Sequence, residues 1–486
     1  MMKIPKEVIE IIGKLEKKKF QAFIVGGCVR DYLQNITPND WDIATSAIPE
    51  EISKIFPKNY TDNTFGTVRV LTKSKEENLK EIEITTFRTE EKYTDKRHPD
   101  KVSWAETIEA DLSRRDFTIN AIALRLKDDK WEIIDPFSGQ KDLKAKTIKA
   151  VGNPDQRFKE DALRLMRAIR LAAALGFTIE NKTYKAVKDN SSSLKHVSQE
   201  RIRDEFTKLI MSKNPSLGIE LLRETDLLRY VVPELLEGYK IGQNKHHLYD
   251  VYDHSLRSLD YAAQKGYNKY VRMSALLHDI AKPRTKAGQG KDSTFYGHEI
   301  IGAKMTKQIL SRLRFSNKEI EKITKLVRYH LFYYDAQEVT ESSVRRLLLN
   351  VGKENLEELV QLRTCDRIGS GCPKAMPYKL RHFLYIVEKV SQDPINSSNL
   401  KIDGKDIMGI LKTSPGPRIG WILNILLSDV LNDPKDNNKK YLESKTKELG
   451  QLDEQKLEKL SRIAKEKIGQ VVGKRDEMTK QKYWVS

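Results

Sequence analysis

The 486-residue sequence predicts an α+β protein whose strands lie near the N-terminus and whose remaining length is helical. Short runs typical of β-strands occur within residues 1–150. From Asp155 onward, apolar residues recur at the three- and four-residue spacing of amphipathic helices. This change of period predicts a first domain boundary near residue 150. Polar breaks farther along suggest three more regions, 151–240, 241–390 and 391–486.

Composition indicates the surroundings and partners of the chain. Its formal net charge of +18 is typical of a protein that binds a polyanion, although a generally basic surface also explains it. No apolar run is long enough to span a membrane, and the charged amphipathic N-terminus is unlike a signal peptide, so we expect no membrane partner. Cys28, Cys365 and Cys372 form no CxxC pair and no disulfide framework. We therefore expect a cytoplasmic protein, and the sequence identifies no protein partner.

The strand pattern recurs in six segments of the N-terminal region. Each is a short apolar or alternating run bounded by polar or glycine residues. The predicted strands are 22–25, 40–43, 67–72, 81–86, 121–126 and 131–134.

Two glycines, Gly26 and Gly27, follow directly on the first predicted strand. A glycine pair lets the backbone turn sharply and approach a ligand without an intervening side chain. Arg30 lies one turn into the helix expected next, where its guanidinium can reach a phosphate group. An ordinary turn before a helix explains the same residues when they are considered alone.

Three carboxylates indicate the chemistry. Asp40 and Asp42 lie two apart in the predicted strand 40–43, so their side chains are expected on one face. There they can bind two metal ions about 4 Å apart, which can hold an attacking hydroxyl and a leaving phosphate together. Glu83 can complete or support this site from the strand 81–86. The pattern indicates nucleotidyl transfer from a nucleoside triphosphate, whereas two solvated loop acids are the simpler alternative.

Arg115, Asp116 and Asn120 lie in a second polar cluster. Arg115 can bind phosphate. Asp116 and Asn120 are four residues apart, so in a helix they share a face and can hydrogen-bond ribose hydroxyls. A capped helix with Arg–Asp pairing fits these residue types almost as well.

Residues 160–170 have a strong helix pattern, with a charged edge formed by side chains three residues apart. A carboxylate beside a guanidinium can recognise a base edge by hydrogen bonds. A ladder of surface salt bridges of little energetic value is the usual explanation for such spacing. The four side chains of this edge are Asp161, Arg164, Arg167 and Arg170.

Taken together, these motifs resemble those of the tRNA nucleotidyltransferases that include bacterial CCA-adding enzymes and bacterial poly(A) polymerases. The resemblance covers about the first 210 residues and ends with segment 200–205, which resembles a helix-stabilising motif of the neck. It implies a nucleotidyltransferase head with a mixed β-sheet, followed by an α-helical neck, body and tail. In order, the motifs are VGGCVRD, DWDIAT, EITTFRTE, DKRHPD, RRDFTINAIA, DPFSG and EDALRLMRAIR.

The resemblance also implies roles for individual residues. Asp40 and Asp42 would hold Mg²⁺, with Glu83 as the third catalytic carboxylate. Asp161 and Arg164 would act as a protein template that pairs with cytosine or adenine. The full set of expected nucleotide-binding residues is Gly26, Gly27, Arg30, Arg115, Asp116, Asn120, Asp161, Arg164, Arg167 and Arg170.

Another constellation of histidines and acids lies between about residues 245 and 370. A His-Asp pair at 278–279 within an apolar helix is costly to bury unless the polar groups have a partner, and a divalent metal would supply one. The pattern resembles the HD metal-dependent phosphohydrolases, although scattered core histidines are the alternative. His298 and His330 lie in the same stretch without an assigned role. The expected ligands of this metal, whose identity is open, are His254, His278, Asp279 and Asp366.

The resemblance predicts addition of CCA to tRNA 3′ ends from CTP and ATP, without a nucleic-acid template. An A-adding tRNA nucleotidyltransferase or a poly(A) polymerase is the nearest alternative. Two others are an HD metal-dependent phosphohydrolase with an RNA-binding head and a non-catalytic RNA-binding protein.

The polar segment 89–101 predicts a loop near the nucleotide pocket. In the family that the chain resembles, enzymes that add the terminal A have such a loop, so deleting 95–100 is expected to stop addition at CC. An ordinary surface loop is the alternative. Weaker matches at 404–406, 415–420 and Asn437 suggest a helical tail that contacts tRNA.

Overall fold

The computed structural model describes most of the chain. Residues 92–100, which form most of the polar loop predicted at 89–101, lie outside the described residues. The described residues are 3–62, 66–91, 101–128, 130–243, 248–332, 334–335, 339–391, 397 and 400–485.

The chain divides into two compact units. The first comprises Met1–Leu331 with Glu357–Pro373, and the second comprises Phe332–Leu356 with Lys374–Ser486. The four regions predicted from the sequence divide the chain more finely and remain predictions.

The strands of the first unit lie almost entirely before residue 150, which confirms the α+β class. A seven-stranded mixed sheet has the order β3-β4-β5-β2-β1-β8-β9, while β6 pairs with β7 and β10 with β11. Strand β2 runs parallel to β5, and the other neighbours in the large sheet are antiparallel. The strands are β1 Ala22–Val25, β2 Asp42–Thr45, β3 Asn59–Asp62, β4 Thr67–Leu71, β5 Glu81–Thr86, β6 Arg88–Glu91, β7 Lys101–Trp104, β8 Ala123–Lys127, β9 Lys130–Ile134, β10 Thr147–Ile148 and β11 Thr178–Ile179.

Alternation along β1 explains why this strand lies inside the sheet. Ala22 and Ile24 join one apolar cluster, whereas Phe23 and Val25 join another. Because side chains alternate between the two faces of a strand, both faces of β1 are covered. Its four residues are all buried, which matches the continuous apolar run in the sequence.

Helices make up most of the rest of the chain. The sequence pattern is right about their predominance but misses a break at Asp161, where the backbone is extended with φ −141° and ψ 106°. The Asp161 carboxylate there accepts a hydrogen bond from the Leu163 amide at 3.1 Å, an arrangement that competes with a continuous helix. The helices are α1 Lys6–Lys17, α2 Gly27–Leu33, α3 Pro49–Ile55, α4 Ile108–Ser113, α5 Gly139–Lys144, α6 Pro154–Glu160, α7 Leu163–Leu175, α8 Asn181–Asp189, α9 Gln199–Ile210, α10 Pro215–Glu224, α11 Leu228–Val231, α12 Val251–Gln264, α13 Lys269–Leu277, α14 Lys282–Thr285, α15 His298–Arg312, α16 Asn317–Tyr329, α17 Glu341–Val351, α18 Leu356–Gly369, α19 Tyr378–Ser391, α20 Gly404–Leu411, α21 Pro417–Asn432, α22 Lys439–Gly450 and α23 Glu454–Tyr483.

Each unit has its own helical core. In the first unit, one large apolar cluster continues from α7 through α9 and α12 to α16. In the second, α21 contributes Ile422 and Leu426 to a separate cluster with Leu457 of α23. Within the described parts of the chain, no helix combines the length and apolarity that a bilayer crossing requires.

Candidate active site and candidate metal centre

A sharp turn after β1 forms one wall of the candidate active site. Gly26 has a φ of +83°, a conformation that side chains with a Cβ rarely adopt. A Cβ atom built at Gly26 would lie 3.1 Å from Arg115 Nη1 and 3.3 Å from Asp42 Oδ2. The glycine therefore lets a guanidinium and a carboxylate lie next to the backbone turn.

Strand pairing brings two of the three predicted carboxylates together. Asp42 lies opposite Glu83 in the parallel pair of β2 and β5. Asp40, however, precedes β2 and is exposed, so it doesn't share a strand face with Asp42 as predicted. The reason is that β1 ends at Val25, the partner of Asp42, and the turn at Gly26 leaves no strand partner for Asp40.

Negative charge is concentrated around Asp42. Burial raises the pKa of Asp42 to about 7, the charges of Asp40 and Glu83 act in the same direction, and Arg115 opposes them. Arg69 lies 3.6 Å from the Glu83 carboxylate, a partner that sequence reasoning missed. Carboxylates crowded together favour a cation between them, so this donor set fits a hard divalent metal.

The residues around these carboxylates enclose a cavity of about 360 Å³, called here the head pocket. Ten predicted site residues line it, whereas Asp40, Arg30 and Arg170 do not. Five of its side chains are arginines, so the pocket suits an anionic ligand. The lining residues are Val25, Gly26, Gly27, Asp42, Glu83, Thr85, Arg114, Arg115, Asp116, Asn120, Asp161, Leu163, Arg164, Arg167 and Arg201.

Arg30 contributes to this pocket indirectly. Its Nη1 donates a hydrogen bond to Asn120 Oδ1 at 2.9 Å, and its Nε donates to Asp31. Asn120 donates in turn to Asp116 at 3.4 Å, so the expected proximity of residues 116 and 120 is found. Arg30 therefore orients a residue that lines the pocket.

A chain of ion pairs joins the head pocket to α9. Asp116 accepts from Arg167 Nε at 2.6 Å, and Glu205 accepts from Arg170 Nε at 2.6 Å. Glu205 also lies 4.0 Å from Arg167. Burial acts to raise the pKa of Asp116, but Arg167 and Arg164 outweigh burial and lower it to about 2. Asp116 is therefore ionised at neutral pH.

Asp161 and Arg164, the expected base-reading pair, each have another partner. Arg201 donates from both Nη atoms to the two oxygens of Asp161, at 3.2 and 2.7 Å. Arg164 is buried and donates to Glu160 at 2.5 Å and to the Arg114 carbonyl at 3.1 Å. The alternative explanation, a ladder of surface salt bridges along one helix edge, therefore does not describe how these side chains pair.

Arg201 and Asp111 were also not predicted as site residues. Arg201 lies in segment 200–205, for which the resemblance implies only a helix-stabilising motif. Asp111 is buried and accepts from Arg114 at 2.8 Å and from Arg115 at 3.1 Å. Asp111 precedes Arg114 by three residues and Arg115 by four. This spacing places the three side chains together on a helix and could have predicted the ion pairs.

The predicted histidines and acids of the helical region meet in a second site. His254 Nε2 and His278 Nε2 are 2.9 Å apart. Asp279 Oδ2 lies 3.1 Å from the first of these nitrogens and 3.3 Å from the second. Asp366 Oδ1 lies 3.4 Å from His254 Nε2. All four side chains are buried, and their ligand atoms lie within 4.8 Å of one another.

Electrostatics at this second site favour a positive charge. Burial lowers the pKa of His278, but Asp279 and Asp366 outweigh burial and raise it to about 10. Although burial acts against it, His278 and Lys282 hold the pKa of Asp279 well below its usual range. Two ionised carboxylates around imidazole nitrogens form a donor set that fits a divalent metal.

Three stretches of the chain match known protein families. Residues 22–149 match the Poly A polymerase head domain. Residues 176–238 match the probable RNA and SrmB-binding site of polymerase A, and residues 251–369 match the HD domain. The HD match covers the buried His and Asp cluster.

Relatives that match over nearly their whole length are CCA-adding enzymes. The CCA-adding enzyme of Ligilactobacillus salivarius is 34% identical over 454 residues, covering 90% of this chain and 97% of the relative. The CCA-adding enzyme of Lactococcus lactis is 34% identical over 454 residues, and the match covers 92% of this chain and 99% of the relative. A crystal structure of the Bacillus stearothermophilus CCA-adding enzyme in complex with CTP is 28% identical, with a TM-score of 0.60, and the match covers 92% of this chain and 98% of that one.

Proposed function

The chain belongs to the family of CCA-adding enzymes, and we propose that it adds CCA to tRNA 3′ ends using CTP and ATP, without a nucleic-acid template. The observation that carries this proposal is the head pocket. There, carboxylates on adjacent strands face five arginines in one cavity. The net charge of +18 supports tRNA as the polyanionic partner.

We propose that Mg²⁺ in the head is held by Asp40 and Asp42, with Glu83 in support. Bound Mg²⁺ would stabilise charge on the attacking 3′ hydroxyl and on the leaving pyrophosphate. The raised pKa of Asp42 supports this assignment, because crowded carboxylates gain from a cation. The protein's own part is to hold the two substrates in line.

The remaining pocket residues are assigned to the nucleotide. Arg115 and Arg30, with the backbone at Gly26 and Gly27, bind or orient the phosphates. Asp116 and Asn120 hydrogen-bond the ribose. The buried and ionised state of Asp116 supports an acceptor role at neutral pH.

Base choice is assigned to Asp161 and Arg164, with Arg167 and Arg170 as further nucleotide contacts. Arg164 is bonded to Glu160, so contact with a base would require it to exchange that partner, whereas Asp161 Oδ2 can accept a further hydrogen bond while Arg201 holds it. Arg170 doesn't line the cavity, so its contribution runs through Glu205 and Arg167.

We assign residues 1–150 to the catalytic head, 151–240 to the neck, 241–390 to the HD domain and 391–486 to a tRNA-contacting tail.

The cysteines at positions 28, 365 and 372 are free thiols, which supports a cytoplasmic location.

The HD region is proposed to hold a divalent metal on His254, His278, Asp279 and Asp366. The convergence of four buried ligand groups supports this metal site. A phosphohydrolase activity is a second candidate function of the region. Release of phosphate from phosphate esters by the metal-loaded chain, lost in Asp279→Ala, would test that activity.

The main proposal is tested by incubating the protein with tRNAs that end in the discriminator base, in C or in CC, together with CTP and ATP. All three should be extended to CCA. Extension of the CC-ending tRNA alone would identify an A-adding enzyme, and long A tails on unrelated RNA would identify a poly(A) polymerase. RNA binding without extension would overturn the transferase proposal.

A further inference from the structure

Strand pairing arranges four side chains in one row across the sheet of the head. Asp42 on β2 is paired with Glu83 on β5, which is paired with Arg69 on β4. Arg69 is paired in turn with Tyr60 on β3, the strand at the edge of the sheet. Because directly paired residues point to the same face of a sheet, the four side chains form a polar row on one face. The polar row begins at the proposed metal carboxylates and ends at the sheet edge.

The face that carries the polar row is open at β4 and β5. Val68 and Val70, the residues on either side of Arg69, are buried in an apolar cluster on the opposite face, as are the two neighbours of Glu83. The exposed fractions of the Arg69 and Glu83 side chains are 52% and 41%. A ligand can therefore reach both side chains from solvent.

Arg69 lies next to the head pocket but doesn't line it. The cavity is lined by residues of β1, β2 and β5, including Asp42 and Glu83, whereas Arg69 stands on the next strand, β4. In the polar row, Arg69 follows Glu83 on the side away from Asp42. A cation at this position suits an anion that reaches the carboxylates from outside the cavity.

The contact between Arg69 and Glu83 is a loose one. Arg69 Nε lies 3.6 Å from Glu83 Oε2, beyond the range of about 2.7–3.2 Å that is usual for such a hydrogen bond. An exposed ion pair of this kind contributes little to stability. A metal held by Glu83 would take up the negative charge that Arg69 faces. The guanidinium, with its five donors, would then suit another anion.

The geometry of nucleotidyl transfer indicates which anion this is. The attacking hydroxyl and the leaving pyrophosphate lie roughly in line on opposite sides of the α-phosphate. Because the arginines of the head pocket suit the triphosphate, the tRNA 3′ end has to reach the carboxylates from another side. The open face at Arg69 provides such an approach.

We propose that Arg69 binds a phosphodiester of the tRNA 3′ end and so helps to present the terminal hydroxyl to Asp42 and Glu83. This inference rests on the proposed nucleotidyl transfer. A guanidinium can contact two phosphate oxygens through parallel donors, which fixes the orientation of the bound strand. Arg69 is thus a binding residue for the primer and makes no contact with the incoming nucleotide.

The first test compares the binding of two tRNAs to the full chain. One tRNA ends in CC, and the other is the same molecule trimmed back to its last base pair. In filter binding with Mg²⁺ and no nucleotide, Arg69→Gln should weaken binding of the CC-ending tRNA by roughly threefold to tenfold, as one exposed charge contact does, and leave the trimmed tRNA unaffected. Arg69→Lys should lose less, because it keeps the charge without the planar fork. Lys73→Gln removes an exposed charge just beyond β4 and is the matched control, which should behave as the parent.

Extension kinetics provide the second test. Arg69→Gln should raise the KM for the CC-ending tRNA by a similar factor and leave unchanged both the KM for ATP and the Mg²⁺ concentration that gives half the maximal rate. Because Arg69 is exposed, we expect its variants to fold. Circular dichroism checks this, and Arg69→Lys decides if Arg69→Gln is unfolded.

Three results would overturn the proposal. One is a parent chain that binds both tRNAs equally well. Another is a loss of affinity in Arg69→Gln that is equal for the two tRNAs, or no loss for either. The third is a changed Mg²⁺ requirement with an unchanged KM for tRNA, since Arg69 would then act only on Glu83. A parent chain that prefers the CC-ending tRNA through Arg69 but never extends it would instead contradict the transferase proposal alone.

Discussion

The head pocket and the HD cluster, defined as His254, His278, Asp279, His298, His330 and Asp366, balance carboxylate charge by different means. In the head pocket the cations are mostly arginines, whose guanidinium groups stay charged at any relevant pH. In the HD cluster Lys282 and Arg363 each pair with one carboxylate, but the other groups around the carboxylates are imidazoles, which can exchange a proton for a metal. The difference suggests that the head pocket admits a transient anionic ligand, whereas the HD cluster encloses a resident cation.

The largest effect is expected from Asp42→Ala, which removes a carboxylate from the head alone. We expect nucleotide addition to fall by roughly 10³-fold or more, because metal-bound charge stabilisation is lost. Binding of tRNA, which depends on the basic surface, should persist. Single-turnover extension of a CC-ending tRNA and a filter-binding assay measure the two properties separately.

Glu81→Ala is the matched control for this variant. Glu81 lies on the same strand as Glu83 but is exposed and doesn't line the pocket. Extension by Glu81→Ala should stay close to that of the parent chain. Near-normal turnover of Asp42→Ala would contradict the catalytic assignment of the head.

The second prediction removes His278 from the HD cluster. His278→Ala should abolish tight metal binding there and lower the free energy of unfolding by about 3 kcal/mol, since it breaks a buried charged pair. Nucleotide addition should continue at temperatures where the variant is folded, because the head pocket contains no HD residue. Denaturant unfolding measures the free energy of unfolding, and tRNA extension measures nucleotide addition. Loss of extension in a folded variant would mean that the two sites are coupled.

The sequence predicted the presence of the core strands better than the residues at which they begin and end. The apolar run at Ala22–Val25 defines β1 to the residue, because burial on both faces leaves a strong signal. The start of β2 was misjudged by two residues, since strand pairing depends on the turn of another segment at Gly26. Strands β3, β6, β7, β10 and β11 were not predicted, since very short or polar segments lack the alternation that identifies a strand.

Which residues belong to each site was easier to predict than which side chains bond to one another. The HD ligands come together as the motif suggested, and ten of the predicted head residues line one cavity. The partner of Asp161, by contrast, is Arg201, 40 residues away on α9. Spacing along one helix can't identify such a partner, because tertiary packing brings it from a different helix.

The third prediction concerns base choice in the head pocket. Asp161→Asn keeps the shape of the side chain but replaces one acceptor oxygen by a donor group. We expect discrimination for CTP and ATP against UTP and GTP to fall about tenfold to a hundredfold, the value of a good base-edge contact. Ratios of kcat/KM for the four nucleotides measure it. Unchanged ratios with a lower Tm would favour a purely structural ion pair. Arg164→Ala is a poorer test, since Arg164 is buried and its loss also removes packing.

The smallest effect is expected from Arg201, which we propose positions Asp161 without contacting the nucleotide. Its two Nη atoms hold both carboxylate oxygens, and both side chains are largely buried, with exposed fractions of 26% and 16%. Arg201→Lys keeps the charge but loses the planar fork, whereas Arg201→Met loses both. If the fork orients Asp161, both variants should reduce discrimination by roughly three- to tenfold, as expected for an ion pair worth about 1 kcal/mol. If charge alone matters, Arg201→Lys should match the parent and only Arg201→Met should differ. Combining Arg201→Met with Asp161→Asn separates positioning from stability, because a residue that acts only through Asp161 adds no further loss of discrimination once Asp161 is replaced.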